Sequence, residues 1–478
     1  MRSAETRRQP LMGRIRRVHM VGIGGIGMSS IAEVLLRRGF EVTGSDLKKS
    51  DVTEHLEAAG AGIFEGHSAG NVEGADVVVY SSAVNPNENA ETIEARHRRI
   101  PVINRSVMLA ELMRMKYGIG IAGTHGKTTT TTLTGLVVAR GGFDPTIVVG
   151  GKVAAFGSNA VFGAGDIIVV EADEYDRTFL RLTPAIAVIT TIDADHLDTY
   201  RDLDDICGAF VEFAESVPFF GTVIACLDDP NVQRVLPEID RPLVTYGLAR
   251  QADLRAERLR ADGLSMTFDV YDDDEMLGPV TLPLPGEHNV RNALAAIAVG
   301  RELSIPFENI RSALGEFAGI QRRFERLTGD SDVIVVNDYA HHPKEVAATL
   351  AAARGAWPER RVIAVFQPHL YSRTRDLAED FASAFLEADV LVLAPVFGAR
   401  EEPISGVTSA LIADEARRLG HDNVVMTKDR QTVPETVLGL TGSGDVVLVM
   451  GAGDIWREAH ALAQSMGRRR QNGKMGKP

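Results

Sequence analysis

Short apolar runs that end near glycines or carboxylates and lead into helical periodicity recur along the whole chain. This alternation constrains the fold more than any other feature. From Arg17 to about Met115 the runs VHMVGIGG, FEVTGSD, ADVVVYSSAV and PVINRS alternate with helical stretches such as IAEVLLRRG. A second series opens with YGIGIAGTHGKTTTT and continues through DIIVVEADEYD, AIAVITTID and TVIACLDD. A third runs through DVIVVNDYAHHPKEV, RVIAVFQPHLYSRTRD, DVLVLAPVF and DVVLVMGAGDI. Strands buried on both faces read as continuous apolar runs, so each series predicts a parallel α/β sheet covered by helices. The acidic, alternating stretch from about Ala252 to Leu284 predicts antiparallel strands, and GEHNVRNALAAIAVGREL after it predicts a helix. The three series share hydrophobic pattern but no residues at a fixed period, so they are not an internal repeat.

A chain of 478 residues agrees with this count of units, at about 150 residues per domain. The expected boundaries are 17–116, 117–318 and 319–466, with unstructured basic tails at 1–16 and 467–478. Lys and Arg number 51 against 65 Asp and Glu, a net charge of -14 that argues against nonspecific binding to nucleic acid or anionic membranes. The Arg-rich N-terminus lacks the apolar run of a secretory signal, and no stretch approaches the roughly 20 apolar residues of a membrane span. Cys207 and Cys226 are the only cysteines, as expected in a reducing compartment, so a cytoplasmic protein is predicted, a monomer or a homodimer.

The sharpest motif is Gly123-Thr124-His125-Gly126-Lys127-Thr128-Thr129, set between an apolar strand and a helix. It is a shortened P-loop, because the common pattern has glycine where Ile121 stands. A lysine at the positive end of a helix is unfavourable without an anion, and a bound phosphate removes the conflict. Lys127 is expected at the β- and γ-phosphates of ATP, with the Thr128 hydroxyl on Mg2+. The strand DIIVV ends in Glu171-Ala172-Asp173-Glu174-Tyr175-Asp176, where carboxylates suit a metal bridging nucleotide phosphates. The next strand leads to Asp193-Ala194-Asp195-His196-Leu197-Asp198, and its His196 completes a nucleotide–metal centre with room for two ions.

Gly22-Ile23-Gly24-Gly25-Ile26-Gly27 satisfies G-x-G-x-x-G, and Asp46 lies 19 residues beyond Gly27 at the end of the following strand. Taken alone this pattern says NAD and an oxidoreductase. The underlying physics, a diphosphate at a helix N-terminus and an acid near a ribose or base, is satisfied equally by a uridine diphosphate group.

With these motifs in view, the chain resembles the Mur ligases over nearly its whole length. The matching blocks, in the family's order, are GIGGIGMSSIAEVL, GTHGKTTTT, EADEYD, DADHLDTY, GEHNVRNALAA, RRFE, NDYAHHPKEV, FQPHLYSRTRD and GAGDI. The resemblance implies a three-domain α/β architecture: an N-terminal Rossmann-like UDP-sugar domain, a central P-loop ATPase domain and a C-terminal Rossmann-like domain. It implies ATP- and Mg2+-dependent joining of L-alanine to the lactyl carboxylate of UDP-N-acetylmuramate through an acyl phosphate. A murein tripeptide is the alternative acceptor, since Tyr175 in EADEYD is the residue many tripeptide-recycling relatives carry. Some relatives hold the second metal with a carbamylated lysine, but no lysine lies between Lys152 and Lys344.

Carried over residue by residue, Glu171 would serve the first Mg2+ and His196 a second ion. Asn289, Asn292 and Asp338 would address the nucleotide, and Arg323, beside Arg322, would contact phosphate or ribose. His342, His369, Arg373 and Arg375 would lie near the incoming amino acid, an arginine fork suiting its carboxylate. For the UDP-sugar, Gly24, Gly25, Ile26 and Gly27 are expected at the diphosphate and Ser45 and Asp46 near the uridine. His67, Ser81, Ser82 and Arg105 complete that set.

Overall fold

The structure is a computed structural model and describes residues 12–153, 158–195, 199–329, 331–399 and 401–474. The apolar run Arg17–Val21 is buried along nearly its whole length and forms the middle strand of a five-stranded sheet. Glu41–Asp46 and Gly62–Glu65 lie on one side of it, Val77–Tyr80 and Val102–Asn104 on the other, all parallel. Successive side chains leave a strand on opposite faces, so both faces need a cover. Val18, Met20 and Val79 join a core with Ile31 and Leu35 of the helix Ile26–Arg37. Val21 and Val78 pack instead with Val72 and Ala95. Strand order reverses at Arg17–Val21, which leaves a crevice beyond the carboxyl ends of that strand and of Val77–Tyr80.

The same logic positions the second glycine loop. Tyr117–Ala122 lies between Ile167–Glu171 and Ile186–Ile189 in parallel register, so the chain leaving it emerges between two other strand ends. Thr222–Cys226 and Leu243–Gly247 extend the sheet in parallel on one side. Thr146–Val153, and the antiparallel Ser158–Val161 beyond it, extend the other. Leu254–Asp262, Ser265–Asp272 and Glu275–Leu282 follow with two-residue turns between them, and only antiparallel neighbours can be joined so tightly.

A third sheet is ordered Glu325–Arg326, Ile334–Asp338, Val446–Met450, Val362–Phe366, Val390–Leu393, Val424–Met426 and is parallel apart from the first. Val335, Val365, Val392 and Val449 pack there against Ile455 and, from the last helix Trp456–Lys474, Ala459 and Leu462. Residues up to Arg255 form one compact unit with Tyr271–Glu275 and Arg291–Ala313, and the remainder forms a second. Among the described residues no helix is long and apolar enough to cross a membrane.

Both predicted tails need correction. Met12 and Ile15 pack against the first core, and the Arg16 amide donates to Asp76, so the chain is anchored before residue 17. At the other end the helix Trp456–Lys474 runs through most of the segment expected to be unstructured. Residues 1–11 and 475–478 lie outside the described residues.

Candidate active site

Four residues connect the strand Tyr117–Ala122 to the helix Lys127–Arg140, and every turn of that short connection is tied down. The Thr124 amide donates to the Thr191 carbonyl and the His125 amide to Thr191 Oγ1, while Thr190 Oγ1 donates to the His125 carbonyl. Thr124 Oγ1 in turn accepts from the Asp193 amide, and His125 Nε2 lies 3.4 Å from Asp193 Oδ2. Gly126 caps the helix at φ +82°, where an L side chain is strained. A Cβ there would also stand 2.5 Å from Asn292 Oδ1, the atom that accepts from Thr130 Oγ1. No acidic residue occupies the first turn, so its dipole favours a phosphate there. Thr129 is buried one residue after Thr128.

Lys127 is nearly buried and its ammonium lies 2.9 Å from Glu174 Oε2, while also donating to the Gly123 and Thr124 carbonyls. Burial opposes the charge, but the carboxylates of Glu174, Asp173 and Glu171 outweigh it and hold the lysine above its ordinary value. Burial pushes Glu174 up to about 7, with Lys127 pulling the other way. Tyr200 fixes this segment by donating to the Glu174 carbonyl.

Thr128 Oγ1 donates to Glu171 Oε1 at 3.1 Å, and Glu171 Oε2 accepts from the Gly150 amide at 2.7 Å. Two hard oxygen donors meet beside the phosphate loop, as Mg2+ requires. His196, expected to hold a second ion, lies outside the described residues.

At the crevice of the first sheet, a cleft of about 600 Å3 is lined by Gly22, Gly24, Gly25, Asp46, His67 and Ser81, with Lys48 and Lys49 at its wall. The helix Ile26–Arg37 starts there from Gly25 with no side-chain cap and no acid in its first turn. Arg105 bonds Ser82 Oγ and reaches over the same helix start; its Nη1 would be 2.3 Å from a Cβ on Gly27. A guanidinium over the positive end of a helix marks an anion site. The carboxylate of Asp46 accepts from the Gly24 amide, so the acid shapes the glycine turn as well as lining the cleft.

Ser45 departs from expectation. It is fully buried, and its hydroxyl donates to Glu91 Oε2 at 2.6 Å and contacts His67 Nδ1 at 2.9 Å. It therefore supports the cleft from behind instead of lining it. Ile26 begins the helix, and its side chain is not described.

In the second unit, both arginines lie over the Tyr339 ring, with the guanidinium carbons of Arg322 and Arg323 at 4.6 and 5.0 Å from its centroid. Arg322 also donates to the carbonyls of Gly451 and Gly453, a structural role. Buried Asp338 accepts from the Phe324 and Ala340 amides and holds this loop. Asn289 is buried and donates to the Pro285 carbonyl. His342 is a helix cap that accepts from the Lys344 amide, so its ring is engaged locally. His369 stacks on Phe397 at 5.7 Å. Of the two arginines expected near the amino acid, Arg373 is buried, whereas Arg375 is half-exposed and paired with Asp376. Residues two apart on a helix face different directions.

Sequence reasoning did not single out Glu174, Thr190, Thr191 or Glu91. Glu174 had a signal in its acidic cluster, but the threonines reach the loop only through sheet register.

A chain with a P-loop at one strand switch and a second anion cleft at another is built as a nucleotide-dependent ligase. Three family models match it: "Mur ligase family, catalytic domain" over 17–117, "Mur ligase middle domain" over 121–300 and "Mur ligase, glutamate ligase domain" over 322–453. The chain belongs to the Mur ligase family, with its three-domain α/β architecture. It is 60% identical to a UDP-N-acetylmuramate–L-alanine ligase of Salinibacter ruber, over 96% of this chain and 97% of that one. A Geotalea uraniireducens protein of the same name is 50% identical over 95% of this chain and 99% of its own. Among solved structures, the UDP-N-acetylmuramate-alanine ligase of Thermotoga maritima superposes with a TM-score of 0.79 at 28% identity, covering 95% of this chain and 99% of that one. A murein peptide ligase of Psychrobacter arcticus gives 0.67 at 25% identity with the same coverage.

Proposed function

We infer that this chain joins L-alanine to the lactyl carboxylate of UDP-N-acetylmuramate at the expense of ATP, in peptidoglycan precursor synthesis. The observation that carries the reading is the 60% identity to the Salinibacter ruber ligase across 96% of the chain, with the phosphate loop intact. The tripeptide alternative has less support, because the murein peptide ligase superposes less closely than the alanine ligase. The NAD reading of the first glycine loop gives way to the family match over that segment. Both nucleotide substrates are cytoplasmic metabolites, so we place the protein in the cytoplasm.

ATP phosphates take the loop amides and draw Lys127 from Glu174. Thr128 and Glu171 would hold Mg2+, which when bound supplies positive charge to the β- and γ-phosphates. Phosphoryl transfer to the lactyl carboxylate forms an acyl phosphate and ADP. The alanine amine then attacks the acyl carbon, inorganic phosphate leaves with the bonding pair, and the nitrogen loses its proton. Lys127 and the helix N-terminus offset the repulsion between two approaching anions. Gly24, Gly25, Gly27, Ser81 and Arg105 hold the UDP diphosphate, with Asp46 and His67 toward the nucleoside. Arg323, Asn292 and Asp338 support the adenine nucleotide, and His369 and Arg373 belong to the alanine side.

Phosphate release with ATP, Mg2+ and UDP-N-acetylmuramate, comparing L-alanine, glycine, L-serine and the murein tripeptide, tests this reading. L-Alanine is expected to give the highest kcat/KM; preference for the tripeptide overturns the amino-acid assignment, and release independent of any acceptor overturns the ligase.

A further inference from the structure

Glu91 is a fully buried carboxylate in the first turn of the helix Ala90–His97, which packs against the sheet that carries the diphosphate cleft, a costly place for a negative charge. Its partners are neutral donors and imidazoles. Asn71 Nδ2 donates to Oε1 at 2.6 Å and Ser45 Oγ to Oε2 at 2.6 Å; His67 Nδ1 lies 3.2 Å from Oε2 and His19 Nε2 3.6 Å from Oε1. Burial raises the pKa of this carboxyl, but the nearby His19 imidazole and the hydrogen bonds from Ser45 and Asn71 outweigh it and keep the group below its ordinary value. An ionised carboxylate only accepts hydrogen bonds, and the Ser45 proton is already committed to it. His67 Nδ1, facing both, must therefore carry its own proton. In a neutral imidazole that proton on Nδ1 leaves the lone pair on Nε2.

His67 lines the cleft and follows the edge strand Gly62–Glu65, beyond Glu41–Asp46 and two strands away from the Gly22 turn. That displacement puts it at the nucleoside end of a ligand whose diphosphate sits on the glycine turn.

Resting on the UDP-sugar reading of the cleft, we propose that Glu91 is a positioning residue: it fixes His67 as the Nδ1–H tautomer and leaves Nε2 as an acceptor for a ribose hydroxyl or the uracil imide N–H. Lys48, Lys49, Asp46 and Glu88 also line the cleft, but none of them contacts the Glu91 carboxylate in the described network. Glu91 thus selects for the nucleoside and not for the diphosphate.

The first test needs no variant. Long-range 15N–1H correlation spectra of the full-length protein, with His67 assigned by His67→Gln, are expected to show an Nδ1–H ring; an Nε2–H ring overturns the proposal. Glu91→Gln, whose amide can donate toward Nδ1, is expected to shift the ring toward Nε2–H. It should also raise the KM for UDP-N-acetylmuramate and the Kd of UDP by up to about tenfold, the loss of one hydrogen bond, with kcat and the KM for ATP unchanged. Inhibition by inorganic pyrophosphate should stay the same. Equal weakening of UDP and pyrophosphate, or unchanged UDP affinity in a folded Glu91→Gln protein, overturns the positioning role. Failure of the underlying reading shows separately, as absence of UDP binding by the unsubstituted chain.

Discussion

The ammonium of Lys127 and the carboxylate of Glu174 form a buried ion pair at 2.9 Å, so the residue that must meet the ATP phosphates already has an anion in their absence. Removing one partner of such a pair strands the other charge. Glu174→Gln is expected to lower Tm by several degrees without nucleotide, and the rise in Tm on adding ATP should exceed that of the unsubstituted protein. Thermal unfolding with and without ATP checks this; equal ATP-induced shifts exclude the exchange of Glu174 for phosphate.

Glu171 accepts from Thr128 and from the Gly150 amide, which orients one oxygen of its carboxylate toward the phosphate loop. Glu171→Gln keeps the shape and removes the charge. The Mg2+ concentration for half-maximal rate is expected to rise at least tenfold, read from activity against Mg2+ at fixed ATP. An unchanged titration takes Glu171 out of the metal site.

Gly126→Ala combines a left-handed backbone with a methyl group 2.5 Å from Asn292 Oδ1. The loop must open or Asn292 must retreat. A fall of roughly 100-fold in kcat/KM for ATP is expected, since small displacements of positioning groups carry penalties of that order. Circular dichroism should show a retained fold.

Lys116 donates to Thr146 Oγ1 and to the carbonyls of Gly163 and Gly165. Burial, aided by Arg38, lowers its pKa to about 8. The unfolded chain therefore binds this proton more tightly than the folded one between pH 8 and the ordinary lysine value, and stability rises with pH across that window. Below pH 8 the group is charged in both states and its contribution is constant. The Tm difference between the unsubstituted protein and Lys116→Met is expected to grow in favour of lysine from pH 7.5 to 9.5; a flat difference excludes the linkage.

The phosphate loop was legible because its physics is local. A strand, four loop residues and a helix N-terminus create an anion site wherever they occur together, and Gly123 to Thr129 encode all three. The same holds for Gly22 to Gly27. Long apolar runs such as Ile186–Ile189 and Val446–Met450 announced themselves as buried strands. The edge strands Gly62–Glu65 and Val424–Met426 did not, being too short and too exposed to stand out as buried apolar runs.

The sequence by itself determined the three strand–helix series and the two glycine loops that lead into helix N-termini, because each rests on spacing along the chain. Tertiary structure alone decided which polar groups meet: Glu174 with Lys127 across 47 residues, Thr191 with the phosphate loop, Ser45 with Glu91 across 46. Those partnerships depend on which strands lie side by side and on which strand ends and helices they bring together, none of which is written in local spacing.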